Sequence, residues 1–166
     1  MYQSGLSNLG TVIKLKFWVP AWEIQSQLQE YNHLWKPYQP AVKIKIIDLA
    51  LQSELHFPQL DIIKSEFEGN IINSYFLKIK KGGFEQSKID NATVDIFMFF
   101  GAYRQVQVCN IIDNQVVNFD IGQFYIVNPD LTKYMYSFID DVLCLRVSIK
   151  INENSYTTIL NNLDEY

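Results

Sequence analysis

Apolar and polar residues alternate along "TVIKLKFWV" (residues 11–19). Val12 and Ile13 fall on opposite sides of a pleat and the lysines face outward, which predicts a strand. Pro20 opens a different rhythm. In "PAWEIQSQLQEY" the residues Ala21, Ile24, Leu28 and Tyr31 recur at helical spacing, so a helix with one apolar face is expected. An aromatic and proline-rich loop, "NHLWKPYQP", leads into "VKIKIIDLAL", where Val42, Ile44 and Ile46 alternate with Lys43 and Lys45. Past Pro58, Leu60, Ile63 and Phe67 return to helical register, and Gly69 supplies a stop.

From residue 71 the rhythm changes again. "IINSYFLKIK", "ATVDIFMFF", "YRQVQVCNII", "QVVNFDI", "GQFYIVN", "YMYSFI" and "VLCLRVSIKI" follow one another, separated by turn residues. Short strands spaced about ten residues apart predict an antiparallel barrel or jelly roll. "SYTTILNNL" then reads as a closing amphipathic helix, with Asn154 as its N-cap and Tyr156, Ile159, Leu160 and Leu163 along one side. The expected fold is mainly β, with a mixed α/β N-terminal part. One domain of 166 residues is expected: a strand and helix part (1–70), a β-barrel core (71–152) and a C-terminal helix (153–166).

Composition narrows the partners. Hydrophobic residues make up 48% and charged residues 19%, a globular balance. The net charge of −4 argues against a general nucleic-acid binder, which needs clustered excess cation. Lys78, Lys80, Lys81 and Lys88 are a local exception, read as a solvated strand end rather than a phosphate patch. Cys109 and Cys144 lie inside apolar runs and read as buried free thiols of a reducing compartment. The first residues have neither a basic start nor an apolar core of signal length, and no stretch is apolar enough to span a bilayer. The expectation is a cytoplasmic protein, or part of a particle assembled in the cytoplasm, with no membrane and no nucleic-acid partner.

Candidate chemistry is sparse. His33 and His56 have no second ligand at metal-binding spacing, and loop histidines are the expectation. Asp140–Asp141 reads as a hairpin turn, and Gly82–Phe84 as a glycine turn before a loop. Trp18, Trp22 and Trp35, with Tyr31 and Tyr38, read as core packing rather than a ligand cage, with Trp22 helping Ile24 and Leu28 to dock the first helix on the barrel or on a partner.

Four stretches carry a family resemblance. "WKPYQP" with "VKIKIIDLAL" and "FPQLDIIKSEF", then "YFLKIKKGGFEQSKID", "YRQVQVCNIIDN" and "GQFYIVNPDLTKYMYSFIDDVLCLRVSIKI" follow a known order of segments. That order resembles the aspartyl/asparaginyl β-hydroxylase-like group of iron- and 2-oxoglutarate-dependent oxygenases, short bacterial and tailed-phage versions included. The resemblance spans residues 34 to 163 and implies a double-stranded β-helix, a cupin-like jelly roll. In that group a His-x-Asp/Glu pair and a distal His hold iron and leave positions open for 2-oxoglutarate and oxygen. Here Asp90 takes the carboxylate position, Lys88 stands where the first His belongs, and Lys133 stands near the distal His. A protonated lysine has no lone pair to give a metal. Asp90 is therefore either the remnant of a metal site, flanked by two lysines, or a plain turn residue. Arg104 matches a central-strand arginine, although the histidine expected two places on is Val106. Arg146 matches the arginine that grips the 2-oxoglutarate carboxylate, or else is an outward strand residue paired with a surface acid.

The resemblance thus implies a kept barrel and a lost iron site. The expected function is non-catalytic binding or assembly, with a protein partner or as a homo-oligomer, for example in a phage particle. No cofactor is expected on that reading. Fe(II) and 2-oxoglutarate belong to the alternative, an active dioxygenase acting on a peptide or small metabolite.

Overall fold

The computed structural model describes residues 5, 6, 9, 12–38, 41–52, 55–80, 84, 85, 93–101, 105–110, 116–127, 136–138 and 141–164, of which 41–43, 84, 85, 105–110, 116, 117, 127 and 136–138 are described by backbone alone. The strands are β1 (Val12–Trp18), β2 (Lys36–Tyr38), β3 (Ala41–Asp48), β4 (Ile71–Ile79), β5 (Phe84–Glu85), β6 (Thr93–Phe100), β7 (Gln105–Asn110), β8 (Val116–Asp120), β9 (Gln123–Val127), β10 (Tyr136–Phe138) and β11 (Val142–Lys150). Helix α1 is Ala21–Gln29, α2 is Asp61–Glu66 and α3 is Glu153–Asn161.

From β4 to β11 the chain is a long hairpin rolled into two sheets. β7 pairs with β8, β6 with β9, β5 with β10 and β4 with β11, all antiparallel. The outer pairs then zip together, β11 to β6 and β10 to β7. The result is a larger sheet in the order β1-β9-β6-β11-β4-β3-β2 and a smaller one in the order β5-β10-β7-β8. This is the jelly roll expected from the strand spacing, with a C-terminal helix behind it. β1 extends the larger sheet at one side, and β3 and β2 at the other.

Period-two alternation gives the larger sheet two different faces. On one, Ile13, Leu15, Phe17, Phe76, Ile96, Met98, Leu145, Val147 and Ile149 are buried beneath the helices. α1 contributes Ala21, Ile24 and Leu28, the stripe read from its spacing. Leu60, Ile63 and Phe67 add a second patch, and Gly69 with φ 80° ends that segment in a conformation that favours glycine. The other face looks into the roll, where Leu77, Phe99, Tyr125 and Cys144 meet Phe119 of the smaller sheet. Phe119 lies 4.7 Å from Phe99 and 5.0 Å from Tyr125, ring centre to ring centre.

Several sequence expectations need correction. The closing helix is capped by Asn152 rather than Asn154: its side chain accepts from Ser155 N (3.0 Å), and Ser155 Oγ accepts from Asn152 N (2.9 Å). In that reciprocal box Ser155 takes the place that Glu or Gln usually holds. Leu160 is exposed. Pro20 precedes the first helix instead of entering it. The loop after it contains the short edge strand β2, and the segment behind the glycine pair contains β5. Trp18 and Trp22 are 60% and 69% exposed, so neither is core and Trp22 does not dock α1 on the roll. Lys14 does not simply face outward: Nζ lies 3.1 Å from Asp120 Oδ2 and 3.5 Å from Asp164 Oδ2.

The segment after α3 returns along the free side of β1. Lys16 N donates to Asn162 O (2.7 Å), Asp164 N donates to Lys14 O (3.0 Å), and Leu15 bridges Leu163. At the turn into β9, Gly122 has φ 82°, and a Cβ there would strike the Val19 carbonyl, which ties the end of β1 to the roll. Among the described residues no helix is long and apolar enough to cross a membrane.

Candidate functional site

The inner face of the larger sheet carries a cross-strand row with chemistry in it. Asp48 of β3 lies opposite Tyr75 of β4, and Tyr75 opposite Arg146 of β11. Arg146 in turn faces Phe97 of β6, Phe97 faces Tyr125 of β9, and Tyr125 faces Lys14 of β1. Arg146 is 8% exposed, which removes the outward-facing reading: even-numbered residues of β11 from Val142 to Ser148 point into the roll.

Its guanidinium carbon lies 5.2 Å from the Tyr75 ring centre and 5.9 Å from that of Tyr38. Two aromatic faces at that range favour a cation by their quadrupoles. Burial raises the Tyr75 pKa and the Asp48 charge raises it further, while Arg146 draws it back. Tyr75 is thus a neutral hydroxyl at physiological pH, beside a fixed positive charge.

The rows on either side differ. Toward the start of β11 lie Leu77, Cys144 and Phe99, a closed apolar layer in which burial pushes the Cys144 thiol far above its usual pKa. Toward its end lie Asn73, Ser148 and Asp95. Ser148 Oγ donates to Asp95 Oδ1 at 2.6 Å, and the buried Asn73 Oδ1 accepts no hydrogen bond among the described residues. Arg146 therefore stands where an apolar floor gives way to a polar layer. A planar cation in such a place suits a carboxylate, which it can hold through two parallel N–H donors.

The remaining candidates are placed as follows. Lys88, Asp90, Lys133 and Arg104 lie outside the described residues, as does Asp140. Cys109 and Val106 are described by backbone alone, within β7. Both histidines sit in segments that precede β4. His33 is exposed between α1 and β2, its ring centre 6.5 Å from that of Tyr31. His56 is exposed beside α2, with Nε2 3.3 Å from Asp61 Oδ1. Among the described residues no group of three His, Cys, Asp or Glu side chains could hold a metal ion.

Iron of the two-His-one-carboxylate type needs two histidines, and this chain has two in all. Neither is on the jelly-roll strands, so that donor set does not fit the residues present. A carboxylate co-substrate fits better, because Arg146 is inside the roll. The sequence points to Arg146 and assigns Tyr38 to packing, but does not mark Tyr75, Ser148 or Asp95. The signal available was the alternation in "VLCLRVSIK", which places Ser148 on the same face as Arg146.

Comparison with solved structures gives the same fold. A prolyl-4-hydroxylase from Pseudomonas putida is similar over 92% of this chain and 100% of its own, with a TM-score of 0.51 at 10% identity. HygX from Streptomyces hygroscopicus, solved with nickel, 2-oxoglutarate and hygromycin B bound, is similar over 89% of this chain and 86% of its own, with a TM-score of 0.50 at 8% identity. An oxidoreductase of the 2OG-Fe(II) oxygenase family from Burkholderia pseudomallei covers 92% of this chain and 89% of its own, with a TM-score of 0.47 at 11% identity. No protein-family model and no curated protein matches the sequence. The likeness is one of fold.

Proposed function

We propose that this chain is a non-catalytic member of the oxygenase-like jelly rolls, of the aspartyl/asparaginyl β-hydroxylase-like type, acting in binding or assembly. The observation that carries this reading is the location of its histidines. The chain has two, both exposed and both in segments ahead of the rolled hairpin, one beside α1 and one beside α2. A metal centre in the roll would have to do without imidazole. The lysines that the resemblance sets at the histidine positions, Lys88 and Lys133, cannot bind iron while protonated. A partner protein, or a further copy of the chain in a particle, is the natural user of a barrel retained without its metal.

Arg146 favours a second reading, an active 2-oxoglutarate-dependent dioxygenase with unusual ligands, since a buried guanidinium is chemically suited to a carboxylate. One experiment separates the two. Purified chain is titrated with Fe(II) under anaerobic conditions and then assayed for succinate formation from 2-oxoglutarate. The expected result is neither stoichiometric iron binding nor succinate. Stoichiometric Fe(II) binding with succinate release would replace the binding reading by the dioxygenase.

A further inference from the structure

The far side of the sheet edge carries a cluster that the interior does not use. Lys45 of β3 and Lys78 of β4 are direct cross-strand partners on the outward face, and Lys80 follows on the same side of the chain. All three are exposed. Side chains directly opposite on antiparallel strands begin about 5 Å apart, and like charges there destabilise the pair. Burial makes the Lys78 ammonium easier to deprotonate, and Lys45 adds to the effect. Lys78 Nζ is also held 4.6 Å above the ring of Trp35, a half-buried residue packed against the helix-covered core.

Among the described residues the ion pairs join Lys14 to Asp120 and Asp164, and His56 to Asp61, so no carboxylate is paired with these three lysines. The acid that comes next along the sheet is Asp141, exposed, one residue before the partner of Ile79. The fold thus sets two lysines directly opposite each other, one of them over an aromatic ring, on a chain whose net charge is −4. An anion seated between Lys45 and Lys78 would relieve that repulsion.

The geometry points to this face, the Lys45–Lys78 pair with Lys80 beyond it and Trp35 beneath Lys78, as a docking site for an acidic peptide segment of a partner protein. Glutamate or aspartate side chains answer the ammonium groups, and the peptide's apolar stems lie against the Trp35 ring. The acidic balance of the whole chain disfavours a nucleic acid, whose phosphates would be repelled beyond this patch. The proposal stands on the outward face alone and does not depend on whether the interior binds iron.

The test uses the full chain and three probes: a fluorescent glutamate-rich peptide, inorganic phosphate and a single-stranded oligonucleotide. The peptide should bind at low salt and be released as salt is raised, because exposed charges are screened. Lys45→Gln with Lys78→Gln should weaken the peptide about tenfold or more, while Lys150→Gln, exposed elsewhere, should leave it unchanged. A denaturation midpoint in the double variant that is unchanged or raised, as relief of the like-charge pair implies, shows that the loss is one of binding. No peptide binding at low salt, equal loss in Lys150→Gln, or preference for phosphate or the oligonucleotide would each overturn the proposal.

Discussion

The two faces of the larger sheet are built from the same strands and follow different rules. In β11, Leu145, Val147 and Ile149 go under the helices, while Cys144, Arg146 and Ser148 go into the roll. In β6, Ile96 and Met98 take the first side, and Asp95, Phe97 and Phe99 the second. Beneath the helices the first face is apolar almost throughout and has only packing to do, and the polar Lys45 and Lys78 on it stand toward the β3 edge. The inner face mixes aromatic rings with cations, carboxylates and hydroxyls, arranged in rows across the sheet. One strand can therefore serve stability and chemistry at once, provided the alternation is not broken.

That contrast can be attacked from either side. The largest effect is expected under the helices. Phe76 is fully buried, with ring centres of Phe57 and Phe100 at 5.2 and 5.9 Å. Phe76→Ala should cost about 3–5 kcal/mol, read from the denaturant midpoint, through lost burial and the cavity left behind. An unchanged midpoint would mean that this face is not the main core.

The inner face should instead reveal itself through pH. Tyr75 and Tyr125 have pKa values raised above 10.0, and Cys144 is raised above 9.0, burial being the first cause in each. The unfolded chain gives up these protons first, so the folded state holds more of them in alkaline solution. Stability from these groups is complete below their ordinary values and is lost as pH rises past them. The midpoint should fall above about pH 9, and Cys144→Ala should make that fall shallower. A fall equally steep in the variant would show that the inner thiol is not what titrates.

Smaller effects lie at the margins. Asn152→Ala removes the cap of α3 and should cost about 1 kcal/mol. Trp22→Ser, on an exposed turn of α1, should change stability by about 0.5 kcal/mol or less. A loss of several times that, on the chain alone, would return Trp22 to the core.

Much of the fold could be read from the sequence, because local period carries it. The stripe Ala21, Ile24 and Leu28, the patch Leu60, Ile63 and Phe67, and the spaced strands after residue 71 each follow from spacing between near neighbours. The short elements could not: β2 and β5 are too brief for alternation to register. Trp18 reads as core by its aromatic identity, but its position on the strand decides otherwise. Ile13, Leu15 and Phe17 are buried, so Trp18 stands on the other side of the pleat. The candidate site was legible in one residue only. Arg146 could be matched by resemblance, but its neighbours Tyr75 and Phe97 arrive through pairings between distant strands, which no local pattern encodes.

The segment that lies along the free side of β1 also bears on how the chain reaches this state. Val12 pairs with Val127 and Leu15 with Leu163, so the first strand finds its neighbours only among residues far along the chain. Such non-local pairing is slow to form, because a long loop must be closed before any contact rewards it. Until then "VIKLKFW" is an unpaired strand with Ile13, Leu15 and Phe17 in a line, a template for pairing with other chains. Lys14 and Lys16 occupy the other face of the strand, and charges so placed act as gatekeepers against association during folding. In the finished protein Lys14 becomes the clasp that joins Asp120 and Asp164, so a residue that guards the nascent strand later fastens it.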